Sequence, residues 1–532
     1  MTSASAERGA AGATQAWTAR AAAIARELPL PGPVAWTAMI AGLSVLYFAF
    51  VVPLGRGTDE TQHAFRAYQL ASGHLFPQIV RCAAHPALLA CRLQYPGPFA
   101  PGRRAGGQVS LALYQTYDQL LALAQRPGFG QHFDPQVYAR GLAAPIGGSS
   151  GAGAAMMFAH FENTALYSPV NYLPQTLVFW IGRETGASVV GTVFAARLAT
   201  GIVWAASATA AVALAPRWQW LVALVVLVPT ALTHGAMLAT DSSALALAAL
   251  AIACSLRVAA RGGPVRRRDL AVLAALCLLL GLLKVPMPVF LLAVLAIVWP
   301  VLGSGTRRAR NVAAIALPGL AAATWWTLAS NAYFVPYRDA TFPAVFQVRI
   351  SPTAQESHLL SHIYELPALL WNTLTGQQLL HLGGLVGTIG QDGGAGPLPE
   401  WVAVAWLLAL AVLVAGTHEG AAPRGRMRAA LAGTGALYML VVALGLYFTW
   451  TALRASAVNG IHGRYTTPAL ILLVPMLAGA GGSRLRIHPR VLAAAVIALT
   501  TALTAVVFVR TADYYYGQAP WDVVPRVLSA VF

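Results

Sequence analysis

Hydrophobic positions in this chain fall in long unbroken blocks. They show neither the alternation of a half-buried strand nor the narrow apolar stripe of a surface helix. Blocks of spanning length lie at about 34–54, 187–214, 218–238, 240–260, 269–284, 286–302, 312–333, 400–416, 429–452, 465–482 and 491–510. This pattern predicts an all-α integral membrane protein of about 11 transmembrane helices, within a range of 10–13. Two polar stretches, 55–186 and 334–399, exceed ordinary connections and are expected to carry structure. The expected organisation is completed by an N-terminal arm over 1–33, bundles over 187–333 and 400–510, and a tail over 511–532.

The short connectors between blocks are rich in arginine: "RVAARGGPVRRR" (257–268), "GTRRAR" (305–310), "APRGRMR" (422–428) and "SRLRIHPR" (483–490). Such loops belong in the cytoplasm. Together they predict a cytoplasmic N-terminus, an extracytoplasmic C-terminus and two long extracytoplasmic stretches. The segment "YSPVNYLPQTLVFWIG", 167–182, breaks this parity, because a full crossing there would invert every later connector. It is therefore expected to be a re-entrant or interfacial helix broken by Pro169 and Pro174.

Composition narrows the class. The chain is 57% hydrophobic and 10% charged, too few charges to cover a water-soluble surface, which needs about 25%. Its net charge of +17 is scattered over loops, which argues against nucleic acid and for membrane lipid or an anionic substrate. Cys254 and Cys277 lie within apolar blocks and read as packing residues. Cys82 and Cys91 share the first long stretch and are candidates for a disulfide if it lies outside the cytoplasm.

This orientation gathers the reactive residues on one side. Directly after the first block comes "GRGTDETQHAFRAYQL". On a helix, Asp59, His63 and Arg66 would fall in line at i, i+4 and i+7, with Glu60 beside them. The competing reading is a solvated amphipathic helix whose acids favour its positive end. Asp241 opens a block in "LATDSSALAL", where an acid also serves as a helix cap. Lys284 is the one lysine among 35 basic residues, which suggests a need for a compact ammonium, against the alternative of a snorkelling side chain. His462, Arg464 and Tyr465 stand in "NGIHGRYTTP", above another block.

"DETQHAFRAYQLASGHLFP" resembles the opening motif of a bacterial family of polytopic membrane proteins, domain of unknown function 2142. Further matches follow in order: "YSPVNYLPQ" at 167–175, Asp241 with "SSAL", "LKVP" at 283–286 and "GRYTTP" at 463–468. That family is similar to the C-type (GT-C) glycosyltransferases. The resemblance implies a GT-C-like bundle in the bacterial cytoplasmic (inner) membrane. It also implies inverting transfer of a sugar from a polyprenyl-phosphate-linked donor to a glycan or glycolipid acceptor of the cell envelope. It implies catalytic roles for Asp59 and Glu60, one of them the base; the mechanism adds His63 to the catalytic set, to orient the carboxylate or bind a metal. Position and charge extend a substrate- or phosphate-binding role to Arg66, Tyr68, Glu162, Tyr167, Asp241, Lys284, His462, Arg464 and Tyr465. No motif demands a cofactor. A divalent metal has a candidate set only in Asp59, Glu60 and His63. The alternative is a transporter or flippase for a lipid-linked or anionic envelope substrate, which should place polar residues at the bilayer midplane.

Overall fold

Apolar segments deprived of water must close their backbone hydrogen bonds internally, so they fold as helices. The computed structural model describes residues 30–91, 102–124, 133–147, 155–335, 350–376, 398–399, 401–416, 425–477 and 488–532. Most of the arm expected over 1–33, and much of the stretch 334–399, lie outside the described residues. Besides short helical turns, the helices are α1 (Pro33–Val51), α2 (Glu60–Ala71), α3 (Leu111–Ala124), α4 (Leu173–Thr185), α5 (Val189–Leu214), α6 (Gln219–Val226), α7 (Pro229–Gly235), α8 (Asp241–Ala260) and α9 (Arg267–Leu283). They continue with α10 (Phe290–Val298), α11 (Gly305–Asn331), α12 (Pro352–Ser361), α13 (Leu366–Thr375), α14 (Trp401–Gly416), α15 (Gly425–Thr449), α16 (Leu470–Leu477), α17 (Pro489–Tyr516) and α18 (Pro520–Val531).

The bundle is that of a helical multi-pass membrane protein. Among the described residues, six helices are long and apolar enough to cross a bilayer: α1, α5, the Ser243–Ala260 part of α8, α11, α15 and α17. The other expected spans are shorter or interrupted, for reasons visible in the sequence. The block 218–238 is split into α6 and α7 around Leu227 and Val228, where Pro229 has no N–H to continue the ladder. Both halves are buried within the bundle, the environment in which irregular backbone is tolerated at membrane depth. The block 286–302 holds nine-residue α10 between turns carrying Pro288 and Pro300. The block 465–482 is interrupted by a turn at Thr467–Ala469, and Pro475 lies within α16.

The segment 167–182 forms a turn at Pro169–Tyr172 followed by α4. Its 13 residues span about 20 Å, against a hydrocarbon core of about 30 Å. The prolines open these two elements and do not break them, since both occupy a first helical turn. One face of α4 exposes Leu173, Leu177, Trp180 and Ile181, and the other buries Gln175, Phe179 and Gly182.

The 55–186 stretch also holds a feature outside the all-α expectation, a three-stranded antiparallel sheet in the order β1 (Gln78–Arg81), β2 (Arg103–Ser110), β3 (Met156–His160). Its strands lack clean alternation because β2 is buried on both faces. Glycine makes that possible. A Cβ on Gly106 would lie 2.1 Å from the Ala159 carbonyl, and one on Gly107 would lie 2.9 Å from Gln69 of α2. The Cys82–Cys91 disulfide closes the loop after β1, and Arg104 Nε donates to the Ala90 carbonyl at 2.8 Å.

α9 and α11 meet backbone to backbone where glycines face each other. A Cβ on Gly281 would lie 2.2 Å from the Gly319 carbonyl, and one on Gly319 would lie 2.4 Å from the Cys277 carbonyl. Small residues let membrane helices meet backbone to backbone. Gly281→Val is therefore expected to destabilise the protein by about 1–3 kcal/mol. Thermal unfolding in detergent measures this, with Gly433→Ala, which meets nothing within 4 Å, as the reference.

Candidate functional site

The charged cluster after α1 is organised by a residue far along the chain. Glu60 and Arg197 are both fully buried and form a forked ion pair, Nε to Oε1 at 2.5 Å and Nη2 to Oε2 at 2.6 Å. Glu60 Oε2 also accepts from the amides of Gly55 (2.9 Å) and Gly57 (3.1 Å). The remaining Arg197 donors reach the carbonyls of Ala49 (2.8 Å), Val52 (2.6 Å) and Pro53 (3.0 Å). All five guanidinium protons are thereby matched. The Glu60 carboxylate, expected as a candidate base, is sealed from solvent and fully engaged. Arg197 was missed in the sequence, although an arginine inside an apolar block was itself the signal.

The pair fixes the turn that sets Asp59. Gly55 takes a φ of +81°, and Asp59 takes a φ of +53° at the N-cap of α2. Aspartate tolerates this left-handed conformation better than most side chains. Asp59 thus caps the helix, and its carboxylate meets Arg464 while Arg66 turns to Gln69 and to the Leu75 and Tyr167 carbonyls.

Three helix ends converge on Asp59. Asp241 is the first residue of α8, Lys284 follows the last of α9, and Arg464 lies in the short helix Gly463–Thr466. Lys284 pairs with Asp241 Oδ1. Arg464 lies 3.7 Å from Asp241 Oδ2 through Nε and 3.5 Å from Asp59 Oδ2 through Nη2. Its Nε is buried and makes no hydrogen bond among the described residues. Asn163 donates to Asp59 Oδ1 at 3.5 Å. The cations also lie over tyrosine rings, Lys284 5.4 Å from Tyr167 and Arg464 4.9 Å from Tyr465. Asp59 keeps 30% of its side chain exposed, against 12–13% for Asp241, Lys284 and Arg464.

The "YSPVNY" segment explains how Lys284 is held. The Ser168 hydroxyl donates to the Leu282 carbonyl, and Asn171 Nδ2 donates to Leu282 (3.2 Å) and Leu283 (2.8 Å). These side chains satisfy carbonyls that α9 leaves free at its C-terminus. Histidines flank the cluster. The His63 ring stacks on Tyr167, and its Nδ1 is 2.9 Å from the Tyr172 hydroxyl. Burial lowers its pKa to about 4, against the opposing pull of Asp59. His462 is lowered to about 4 by burial and then by Arg464. His234, which the sequence reading did not select, places Nε2 3.1 Å from the Thr58 hydroxyl and Nδ1 2.8 Å from the Thr230 carbonyl. The latter contact assigns the proton to Nδ1, so Thr58 donates to Nε2.

Other expected site residues are turned elsewhere. Arg66 is buried and bonds Gln69 (2.5 Å), the Leu75 carbonyl (2.9 Å) and the Tyr167 carbonyl (3.4 Å), so it braces backbone. Tyr68 sits under Arg183 at 5.1 Å and faces Met156 beside the sheet. Glu162 pairs with Arg104 at 3.6 Å and accepts from the Ala105 amide at 3.3 Å. Burial pushes its carboxyl up to about 7 against the pull of Arg104. Among the described residues no group of three His, Cys, Asp or Glu side chains could hold a metal ion, and Glu60 is engaged by Arg197, so the expected set Asp59, Glu60 and His63 is not assembled.

Glu60→Gln and Arg197→Met each strand a buried charged partner and are expected to cost about 3–5 kcal/mol. The double replacement Glu60→Leu with Arg197→Met should cost less than either single change. Thermal melts of the three variants in detergent test this ordering. A histidine kept neutral in the fold contributes its full stability above the unfolded pKa of about 6.5 and loses it as pH falls toward about 4. His63→Gln should therefore flatten the decline in melting temperature across that window.

A family model described as "Predicted membrane protein (DUF2142)" matches residues 132–474. That range includes Tyr167, Asp241, Lys284 and Arg464, and begins after the Asp59 motif. No curated protein and no solved structure matches the chain. With well over half its length matched, the chain belongs to the membrane protein family of domain of unknown function 2142.

Proposed function

We propose that this protein is an inverting membrane glycosyltransferase. It moves a sugar from a polyprenyl-phosphate-linked donor to a cell-envelope glycan or glycolipid on the outer face of the bacterial cytoplasmic membrane. The observation that carries this reading is the unequal use of three neighbouring carboxylates. Glu60 is sealed by Arg197 and Asp241 is bound by Lys284, whereas Asp59 is partly open and, among the described residues, is held by contacts of 3.5 Å. A loosely held carboxylate beside two cations suits a base next to an anion site.

In this reading Asp59 takes the proton of the acceptor hydroxyl. The freed oxygen attacks the anomeric carbon as its bond to the phosphate oxygen breaks, and the electron pair leaves with the lipid phosphate. Arg464 and Lys284 stabilise that charge. Tyr167 and Tyr465 hold the two cations in place through their ring faces. Two features support the assigned side: the disulfide in the first long stretch, which persists in oxidising compartments, and the arginine-rich connectors 257–268 and 305–310 at the opposite helix ends. A transport role draws on one observation of its own. The buried half-helices α6 and α7 resemble the broken helices around which transporters build binding sites.

Membranes holding the protein, incubated with radiolabelled polyprenyl-phosphate sugar, should give a labelled envelope product. Asp59→Asn should lower the rate by about 10²–10⁴-fold without lowering the melting temperature. Lys284→Gln should chiefly raise the KM for the donor. Unchanged product from Asp59→Asn would sink the catalytic assignment, and donor movement across vesicles without sugar transfer would favour transport.

A further inference from the structure

At the helix ends remote from Asp241 and Lys284, two connectors meet. The Val265 amide donates to the Val301 carbonyl at 3.0 Å, and Asn311 Nδ2 donates to the Leu302 carbonyl at 3.0 Å. This brings the α8–α9 connector beside the N-terminus of α11. Residues 257–269 and 299–311 together hold eight arginines and one acid, Asp269. Asp269 is taken by Arg261 at 2.6 Å. Arg266, Arg267, Arg268, Arg307 and Arg310 are exposed. Arg308 lies 4.8 Å over the ring of Trp299, which is itself 47% exposed. Beyond this basic band the exposed surface of α9 and α11 turns apolar at Val272 and Leu317.

We propose that this junction is a docking surface for the phosphate headgroup of an anionic phospholipid. Repulsion among so many like charges is relieved by a bound anion, and guanidinium groups fork onto phosphate oxygens. The order of arginines, then an exposed indole, then aliphatic side chains matches the order of phosphate, interface and acyl chain in a bilayer leaflet. That apolar border selects a lipid over a free anion. The surface lies at the other end of α8 and α9 from the candidate site, so it stands or falls independently of the proposed transfer reaction.

The test uses full-length protein exchanged into nanodiscs of equimolar phosphatidylglycerol and phosphatidylcholine, then released and analysed by native mass spectrometry. Phosphatidylglycerol should be retained about tenfold over phosphatidylcholine, and Arg266→Gln, Arg267→Gln and Arg268→Gln combined should remove that preference. Arg510→Gln, exposed on α17, should leave it intact. If the triple variant melts below wild type in neutral detergent, the pair Arg307→Gln and Arg310→Gln replaces it. Equal retention of the two lipids, or an unchanged preference in the folded variant, overturns the proposal. So does full displacement of phosphatidylglycerol by millimolar inorganic phosphate, which would mark a site for free anions.

Discussion

The buried fork between Glu60 and Arg197 governs the geometry of everything around it. A fully desolvated ion pair is costly unless both partners are satisfied, and here Arg197 and the Gly55 and Gly57 amides complete it. The pair ties the end of α1, the glycine turn and the start of α2 to the middle of α5. Rigid support of this kind lets Asp59 hold a left-handed backbone and leave its carboxylate partly open. The two adjacent acids therefore divide two tasks, one structural and one exposed.

A second constraint is the sharing of Asp241 by two cations. Lys284 and Arg464 would repel each other without a carboxylate between them. Asp241 holds both near Asp59, and each is further held by an aromatic ring. The helix ends that meet here come from separate parts of the chain. The cluster is thus a product of bundle assembly and not of any one motif.

Much of this was legible in the sequence, and the limits have physical causes. Membrane character followed from unbroken apolar blocks, since hydrocarbon leaves the backbone little choice. The gathering of Asp59, Asp241, Lys284 and Arg464 was legible from their shared position at block ends. Hydropathy could not reveal that 218–238 divides in two, because both halves are equally apolar and only Pro229 marks the break. Helical spacing put Arg66 on the Asp59 face, but buried carbonyls of Leu75 and Tyr167 and the Gln69 side chain claim its donors instead. The sheet escaped notice because its middle strand is buried on both faces and carries glycines where strands usually carry branched residues.

Lys284 is the one side-chain amine in the protein. It therefore gives the cluster a chemical address that needs no engineered label. An amine-directed reagent has this ammonium as its single target outside the N-terminus, and pairing with Asp241 shields it. The rate at which such a reagent modifies the chain thus reports whether that ion pair is closed. A lysine-specific protease acting on the unfolded chain likewise divides it at one place, between the parts that supply Asp241 and Arg464.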